Sequence, residues 1–345
     1  MRHSLSHLML PTGHRLAAAT VAIALLSSVV CAHGQRQVRW QDVHDQPAEW
    51  YAGPEARAAA DAVLLYQRPS GGWPKDVDMM RPPADRTPPA RPDATIDNDA
   101  TTTQIRLLAS VGTAAGGAVT GPNRAYLEAA LRGISYLLDA QYPNGGWPQF
   151  YPLRKDYSRF ITFNDNAMMN VLTLLDEVAG GKPPYSFVDA DRRRMAGVAV
   201  DRGVNVILQA QVRIDGVLTA WCAQHDAVTL EPRPARAFEH ASLSGNESVA
   251  IVRFLMQRQP TPEIVAAVDG AVAWLQRVRL ADGRWARFYE LKTNRPIFSG
   301  RDGVVRYTFE EIEKERQEGY AWFGTWPKTL VDKQYPAWKQ RRGRI

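Results

Sequence analysis

The sequence predicts an all-α dominated fold, an incomplete α/α barrel (toroid) with long irregular loops and few short strands. The first observation is a repeated unit, in which an apolar run of helical period leads into a turn with glycine and tryptophan. Gly72, Gly146, Gly216 and Gly283 recur about 70 residues apart, which is enough chain for two helices and their connections. The second observation is that polar segments stand just before helical runs, as helix N-caps do.

The repeated unit is clearest in its first two copies. Residues 64–74 and 137–148 both end in Gly-Gly-Trp-Pro, and weaker copies cover 207–221 and 274–285. The polar segments that precede the other helical runs are residues 95–100, 162–167 and 244–248. Because such helices pair as hairpins, we expect the turns and polar segments to gather at one end of the barrel, where the cleft would lie.

The first residues are predicted to lie outside the fold. Arg2, His14 and Arg15 form a basic region, and residues 16–30 are apolar or small and uncharged, followed by small residues. This is the pattern of a secretory signal peptide, which we assign to residues 1–34. The remainder, residues 35–345, is then a single catalytic α/α-toroid domain, secreted to the periplasm or outside the cell. An uncleaved N-terminal anchor is the alternative.

Composition limits the partners of the protein. The chain carries 42 Lys and Arg against 36 Asp and Glu, a formal net charge of +6, which suits an anionic substrate. It has no Lys-rich run and no recognisable nucleic-acid module, so we expect no nucleic-acid partner. After signal removal Cys222 would stand alone and no later run could span a membrane, so we expect no internal disulfide and no membrane contact in the mature form. We also expect a monomer.

Long non-helical stretches are the expected place for the site. Residues 81–93 are rich in Pro and Arg, and residues 223–241 and 288–307 also lack helical periodicity. Loops of this length on a helical scaffold often carry binding and catalytic groups.

The motifs, taken in order from about residue 48 to 340, resemble the pectate lyases of polysaccharide lyase family ten. The matching segments are residues 71–75 (Gly-Gly-Trp-Pro-Lys), 96–101 (Ile-Asp-Asn-Asp-Ala-Thr), 145–149, 163–168, 235–239 (Ala-Arg-Ala-Phe-Glu), 287–289, 294–296 and 301–303. The resemblance implies an incomplete α/α barrel beside an irregular coil region. It also implies cleavage of polygalacturonate (pectate) by calcium-assisted β-elimination, which leaves 4,5-unsaturated oligogalacturonides.

This reaction sets clear chemical requirements. The C5 proton lies next to a carboxylate, and its removal adds negative charge that Arg side chains and a divalent cation can neutralise. The resemblance assigns calcium binding to Asp97, with Asn98 beside it as a substrate-binding residue, and Asp165 is the matching acid of the second copy. Each aspartate could instead cap its helix. Two carboxylates are few for calcium, so substrate carboxylates and waters would complete the site.

The resemblance also assigns the cationic groups. It makes Arg236 the base that removes the C5 proton, and Arg287 and Arg301 the groups that bind substrate carboxylates. Because free arginine has a pKa above 12, Arg236 would have to be desolvated or flanked by positive charge. Lys75 is a further candidate for contact with a sugar carboxylate. Surface salt bridges are the alternative for each lone arginine.

Three other interpretations of the sequence remain open. An inverting glycoside hydrolase on a similar toroid would use acids such as Asp97, Asp165 and Glu247. A non-catalytic protein that binds acidic polysaccharides would need no base. Cys222, His225, Asp226 and His240 lie close in sequence and could form a thiol nucleophile or a zinc site.

Overall fold

The structure is a computed structural model that describes residues 38–84, 93–114 and 122–342. The predicted signal peptide and part of the Pro-rich loop at 81–93 lie outside the described residues. The described part consists mainly of helices, as the sequence predicts, and none of its helices is long and apolar enough to cross a membrane.

The described residues contain nine α-helices. They are α1 (Pro54–Tyr66), α2 (Thr102–Ala114), α3 (Pro122–Asp139), α4 (Ala167–Gly180), α5 (Ala190–Ala210), α6 (Glu247–Leu255), α7 (Pro262–Arg277), α8 (Lys314–Glu318) and α9 (Tyr335–Arg342). Short 3-10 helices lie at Trp40–Asp42, Trp50–Ala52, Asp97–Asp99, Tyr157–Arg159, Asn164–Asn166, Tyr185–Phe187 and Phe309–Glu311, and a π-helical turn at Leu330–Gln334 precedes α9.

The helices pack in two rows that form the incomplete α/α barrel. Helices α2, α4 and α6 are the first row, and each packs against the second-row helix that follows it, namely α3, α5 or α7. Neighbours within each row also touch, α2 with α4 and α4 with α6 in the first, and α3 with α5 and α5 with α7 in the second. Helix α1 packs against α2 and α3. Apolar side chains between the rows form one continuous core.

Strands are few and short, as predicted. The ten two-residue strands are β1 (Ile161–Thr162), β2 (Arg213–Ile214), β3 (Val217–Leu218), β4 (Gln224–His225), β5 (Leu243–Ser244), β6 (Trp285–Ala286), β7 (Phe288–Tyr289), β8 (Phe298–Ser299), β9 (Val305–Arg306) and β10 (Phe323–Gly324). They form antiparallel pairs, β1 with β4, β2 with β3, β5 with β7, β6 with β10 and β8 with β9. These pairs join segments of the long connections to one another and do not build a larger sheet.

The repeated tryptophan has the same role in all four copies. Each indole is fully buried, and its Nε1 donates a hydrogen bond to a carbonyl near the end of the preceding second-row helix or α1. The bonds join Trp73 to Val63 (2.8 Å), Trp147 to Leu137 (2.7 Å), Trp221 to Ile207 (2.8 Å) and Trp285 to Leu275 (2.7 Å). A buried indole needs such a partner for its N–H. The tryptophan therefore fastens each turn to the helix that precedes it.

The turns themselves require glycine. Gly71 and Gly145 have φ of +99° and +102°, a backbone conformation that other residues rarely adopt. A side chain on Gly145 would also clash with the carbonyl oxygen of Arg202 in α5. The chain therefore passes against the next second-row helix, and Gln141 joins both elements by donating to the carbonyls of Gly145 (3.0 Å) and Ala199 (2.9 Å).

A second, smaller core lies under the irregular loops. Its buried members are Phe238, Phe288, Ile297, Phe298, Ile312 and Trp322. Two of these residues adjoin candidate site residues, since Phe238 follows Arg236 by two positions and Phe288 follows Arg287 directly. Packing of these aromatic rings fixes the loops that carry both arginines.

Candidate active site

The polar segments lie at the N-terminal ends of the first-row helices, as predicted. The 3-10 turns Asp97–Asp99 and Asn164–Asn166 touch each other, and the second also touches α6. Both contain consecutive residues with positive φ, Asn98 and Asp99 in the first turn and Asp165 and Asn166 in the second. Asn and Asp tolerate this conformation better than other non-glycine residues. The two copies thus form equivalent irregular turns that meet at one end of the barrel.

Simple helix capping does not account for Asp165. The residue at the N-cap of α4 is Asn166, and no side chain caps that helix by a hydrogen bond. The Asp165 carboxylate instead accepts a hydrogen bond from Asn164 Nδ2 at 2.6 Å and lies 3.6 Å from Arg287 Nη2. It is 43% exposed, so it remains accessible to a ligand.

Asp97 forms a close ion pair with Lys75. The distance from Lys75 Nζ to Asp97 Oδ2 is 2.6 Å, and Gln149 Nε2 donates to the other carboxylate oxygen at 3.4 Å. Burial alone would lower the pKa of Lys75, but the hydrogen bond and the charge of Asp97 outweigh it and raise that pKa. Asn98 turns the other way and donates to Asp76 at 2.9 Å. Lys75 and Asp97, distant in sequence, therefore belong to one site.

Negative charge accumulates between the two turns. Burial raises the pKa of Asp99, and the charges of Asp165 and Asp97 raise it further, while a hydrogen bond from Asn170 opposes the shift. Within the described part of the chain, no group of three or more His, Cys, Asp or Glu side chains is arranged to hold a metal. The acidic oxygens of Asp97 and Asp165 are of the type that calcium prefers, but they do not complete a site by themselves.

Arg287 is the centre of a buried charge cluster. Its Nη2 lies 2.6 Å from Glu247 Oε1, and both side chains are almost inaccessible to solvent. Ser244 donates to the other oxygen of Glu247. Burial alone would lower the pKa of Arg287, but the charges of Glu247 and Asp165 contribute to a net rise. Arg287 therefore stays charged, and it links the N-terminus of α6 to the turn that precedes α4.

Arg236 is bound by a carboxylate. Its Nε donates to Glu239 Oε2 at 2.7 Å and its Nη2 donates to Glu239 Oε1, while Tyr320 Oη donates to that second oxygen at 2.8 Å. The hydrogen bond with Glu239 raises the pKa of Arg236 above its ordinary value. The predicted role as base requires desolvation or a neighbouring positive charge to lower this pKa. The structure places a negative one there, because the 235–239 turn brings Glu239 back against the guanidinium.

Two tyrosines connect the cationic groups. The guanidinium carbons of Arg236 and Arg287 lie 5.8 Å and 5.1 Å from the centre of the same Tyr320 ring. Burial raises the pKa of Tyr157, which is also influenced by the charges of Arg236 and Asp97. The side chains of the barrel end and of the coil region therefore face one common site.

Arg301 lies at the edge of this arrangement. It is 66% exposed and pairs with Glu315, with its Nη2 2.9 Å from Oε1. Its loop is nevertheless close to the base candidate, because a side chain on Gly303 would come within 3.3 Å of the carbonyl oxygen of Ala237. In the described residues, Arg301 forms no hydrogen bond or ion pair with Asp97, Asp165 or Arg236.

The thiol or zinc interpretation of Cys222 and its neighbours is wrong. His225 is fully buried, and its Nε2 accepts from the Cys222 N–H at 3.1 Å while its Nδ1 lies 2.8 Å from the Leu230 carbonyl. Burial lowers the pKa of His225 to about 4 and raises that of the Cys222 thiol. Asp226 pairs with Arg233, and His240 contacts Ser299. These residues hold the loop together and provide neither a thiolate nor a metal site.

Sequence reasoning did not assign roles to three residues of the site. Glu239, Tyr320 and Tyr157 all lie against Arg236 or share its electrostatic surroundings. Glu239 carried a usable signal, because an acid three residues after an arginine in a tight turn can reach it. The tyrosines carried none, since only the tertiary fold brings residues 157 and 320 to the loop at 236.

Comparison with known proteins identifies the family of the chain. Residues 67–284 and 282–331 match the family model described as pectic acid lyase. The solved structure of a family 10 polysaccharide lyase from Cellvibrio cellulosa is 37% identical, covers 85% of this chain and 97% of that chain, and superposes with a TM-score of 0.75. A mutant of the family 10 polysaccharide lyase from the same organism, in complex with trigalacturonic acid, is 35% identical over 86% of this chain and 98% of that chain, with a TM-score of 0.74. No curated protein matches the chain.

The helical barrel, the family match and the two structural neighbours together identify a polysaccharide lyase. Within that class, the chain belongs to the pectic acid lyase family.

Proposed function

We propose that this protein is a pectate lyase that cleaves polygalacturonate by β-elimination with the assistance of calcium. The proposal rests on one observation above all: Lys75 pairs with Asp97, Arg287 lies beside Asp165, and Arg236 shares the Tyr320 ring with Arg287. A polymer with a carboxylate on every sugar needs several cations at its binding site. A relative crystallised with trigalacturonic acid supports the same substrate class.

In this reaction Arg236 is the base. Its neutral guanidine takes the C5 proton, the C5–H electron pair forms the C4–C5 double bond, and the C4–O bond breaks. The leaving C4 oxygen takes a proton from solvent. Arg287 stabilises the negative charge that develops on the C6 carboxylate, because its planar guanidinium is buried and already oriented. Lys75 and Arg301 bind carboxylates of neighbouring sugars. Neutral arginine is scarce near pH 7, so activity should rise into the alkaline range.

Asp97 and Asp165 would hold the calcium ion together with substrate carboxylates and water, and Asn98 would contact the sugar. The bound ion would neutralise part of the carboxylate charge that grows as the C5 proton leaves. The Lys75 ammonium group already binds the Asp97 carboxylate. It must therefore share this carboxylate with the calcium ion or move to a sugar carboxylate. We therefore propose that calcium affinity depends on substrate. The protein would act outside the cytoplasm, as a monomer, after removal of residues 1–34.

One observation counts against the hydrolase alternative. Glu247, a candidate acid for hydrolysis, is inaccessible to solvent and bound to Arg287 and Ser244. Such a carboxylate has no free oxygen to deliver a proton to a glycosidic oxygen.

The nature of the product tests the proposal. Elimination leaves a double bond conjugated to the carboxylate, which absorbs ultraviolet light, whereas hydrolysis leaves none. We expect ultraviolet absorbance to rise when the protein is incubated with polygalacturonate. Chelator should stop this rise, and added calcium should restore it. New reducing ends without absorbance would instead establish hydrolysis, and binding without either product would indicate a non-catalytic protein.

A further inference from the structure

Arg236 uses two of its three nitrogens in one contact. Nε and Nη2 both donate to the Glu239 carboxylate, one to each oxygen. In the part of the chain that the structure describes, no protein group accepts from the third nitrogen, Nη1. The side chain is 47% exposed, so a ligand can reach the guanidinium from solvent.

Glu239 is itself held firmly. Its backbone N–H donates to the Arg236 carbonyl at 2.8 Å, and its carbonyl accepts from the Ala235 N–H at 2.9 Å. Tyr320 Oη donates to the carboxylate at 2.8 Å, and the carboxylate is only 7% exposed. A carboxylate fixed by both backbone and side chain can fix the guanidinium that it binds.

Aromatic rings restrict the guanidinium further. Its central carbon lies 4.8 Å from the centre of the Phe238 ring and 5.8 Å from that of the Tyr320 ring. Both rings belong to or pack against the small core under the coil region. Together with the bidentate contact, they define the orientation of the guanidinium.

We propose that Glu239, supported by Tyr320, is a positioning residue that keeps the reactive lone pair of Arg236 on a terminal nitrogen and turns it away from the carboxylate, towards the C5 proton. A neutral guanidine has one nitrogen without its full set of hydrogens, and that nitrogen carries the reactive lone pair. Nε and Nη2 must each keep a hydrogen to donate to Glu239. As the imine nitrogen, Nε would lose its only hydrogen and its bond to Glu239, whereas Nη2 would keep one hydrogen for the carboxylate. The tautomers that preserve both bonds therefore carry the lone pair on a terminal nitrogen, at Nη1 or on the side of Nη2 that faces away from Glu239. This inference rests on the proposed function.

The arrangement has a cost that makes it testable. The Glu239 carboxylate stabilises the charged guanidinium, so it raises the pKa of Arg236 while it aims the nitrogen. Tyr320 and Tyr157 influence this pKa less than Glu239 does. Two further charged groups lie nearby, since the guanidinium carbons of Arg316 and Arg287 are 4.8 Å and 5.1 Å from the centres of the Phe238 and Tyr320 rings that Arg236 also contacts. Loss of the Glu239 charge should therefore lower the maximal rate and at the same time make the neutral base available at lower pH.

The test is the variant Glu239→Gln, assayed against wild type on polygalacturonate from neutral to alkaline pH. The amide that replaces the carboxylate has a single oxygen and can accept from one Arg236 nitrogen but not from both. The orientation of the guanidinium is therefore lost. We expect kcat to fall about 10- to 100-fold, as small misplacements of reacting groups do, with KM nearly unchanged. The rising limb of the pH–kcat profile should move to lower pH by about one unit. A merely structural role would reduce the folded fraction and leave this limb in place.

Two further variants keep the test decisive. Tyr320→Phe preserves the ring, removes only the hydrogen bond to Glu239, and should lower kcat by a smaller factor even if Glu239→Gln does not fold. Glu128→Gln is the matched control, because Glu128 pairs with Arg124 at 2.7 Å on the surface of α3. It should leave both kcat and the pH profile unchanged.

The outcomes separate this inference from the proposed function. A wild-type protein that gives no unsaturated product refutes the lyase itself. Lyase activity that survives in Arg236→Ala refutes the base. If Arg236→Ala is inactive while Glu239→Gln and Tyr320→Phe both keep the wild-type kcat and pH profile, only the positioning role is refuted.

Discussion

The ammonium group of Lys75 lies 2.6 Å from the buried carboxylate of Asp97. The first residue follows the Gly-Gly-Trp-Pro turn after α1, and the second begins the polar turn before α2. Their contact joins two elements of one repeat and places a mobile cation where the proposed calcium ion would bind. Loss of Asp97 would therefore remove both a carboxylate and the binding partner of Lys75.

Replacement of Asp97 by Ala should abolish activity and leave the protein folded. The expected loss is at least about a hundredfold in kcat/KM, because one anionic ligand and the orientation of Lys75 disappear together. The unfolding free energy should fall by only about 2 kcal/mol, since Lys75 is 32% exposed and can be rehydrated. Activity against calcium concentration and urea unfolding provide the two measurements. Asp282→Ala, in a surface pair with Arg284, is the control, and full Asp97→Ala activity in excess chelator would contradict the prediction.

Methyl esterification of the substrate should reduce activity. Esters remove the charges that Lys75, Arg287 and the proposed calcium ion recognise, so kcat/KM should fall steadily as the degree of methylation rises. The measurement compares one pectin sample before and after chemical de-esterification, so that chain length stays constant. Faster turnover of the methylated form would show that the site does not select carboxylates.

Arg287→Ala should strongly destabilise the protein, apart from its effect on activity. The change leaves the Glu247 carboxylate buried without its partner, which typically costs about 3–5 kcal/mol of unfolding free energy. Arg301→Ala is the matched control, because the Arg301–Glu315 pair is exposed and its loss should not measurably change stability. Urea unfolding of both variants decides the question, and equal stability would mean that Glu247 is rehydrated.

Gly145→Ala should lower the stability of the protein much more than Gly216→Ala. Both glycines have positive φ, +102° and +80°, so each substitution introduces backbone strain of about 1 kcal/mol. Only at Gly145 would the new methyl group also meet a backbone carbonyl, that of Arg202, whereas no atom lies within 4 Å at Gly216. Thermal unfolding should show at least twice the loss for Gly145→Ala. Equal losses would show that the turn can move away from α5.

Stability should fall as pH drops from neutral towards 4, with a contribution from His225. Burial lowers its pKa to about 4 in the folded protein, below the value of about 6.5 in the unfolded chain. Between these values the unfolded chain binds the additional proton, so stability is full above the unfolded pKa and is lost as pH falls towards the folded one. The difference corresponds to about 3 kcal/mol.

The measurement is urea unfolding at several pH values. His225→Asn, which cannot titrate, should be less stable at neutral pH but should depend less steeply on pH between 6.5 and 4. An unchanged slope in the variant would assign the pH dependence to other groups.

The sequence by itself determined the helical fold, because its information is local and repeated. Apolar residues at helical spacing specify helices, and Gly145 and Trp147 specify a turn with positive φ and a buried indole in any copy of the unit. The polar turns were predictable for the same reason, since Asp97 and Asp165 occupy equivalent positions in successive repeats. The assignment of roles to these residues came from resemblance to a family and not from local chemistry.

The tertiary structure alone decided which charges meet. Glu247 binds Arg287 across 40 residues of sequence, and Tyr320 reaches Glu239 across 81. Neither partner could be predicted from periodicity, because a long loop can place a charged group beside many others. The pKa of Arg236 shows the consequence: the family resemblance made this residue the base, which needs a lowered pKa, whereas the packing of the 235–239 turn placed a carboxylate against it and raised that pKa. A charged side chain takes its properties from the groups within a few ångströms, and packing between distant segments determines those groups.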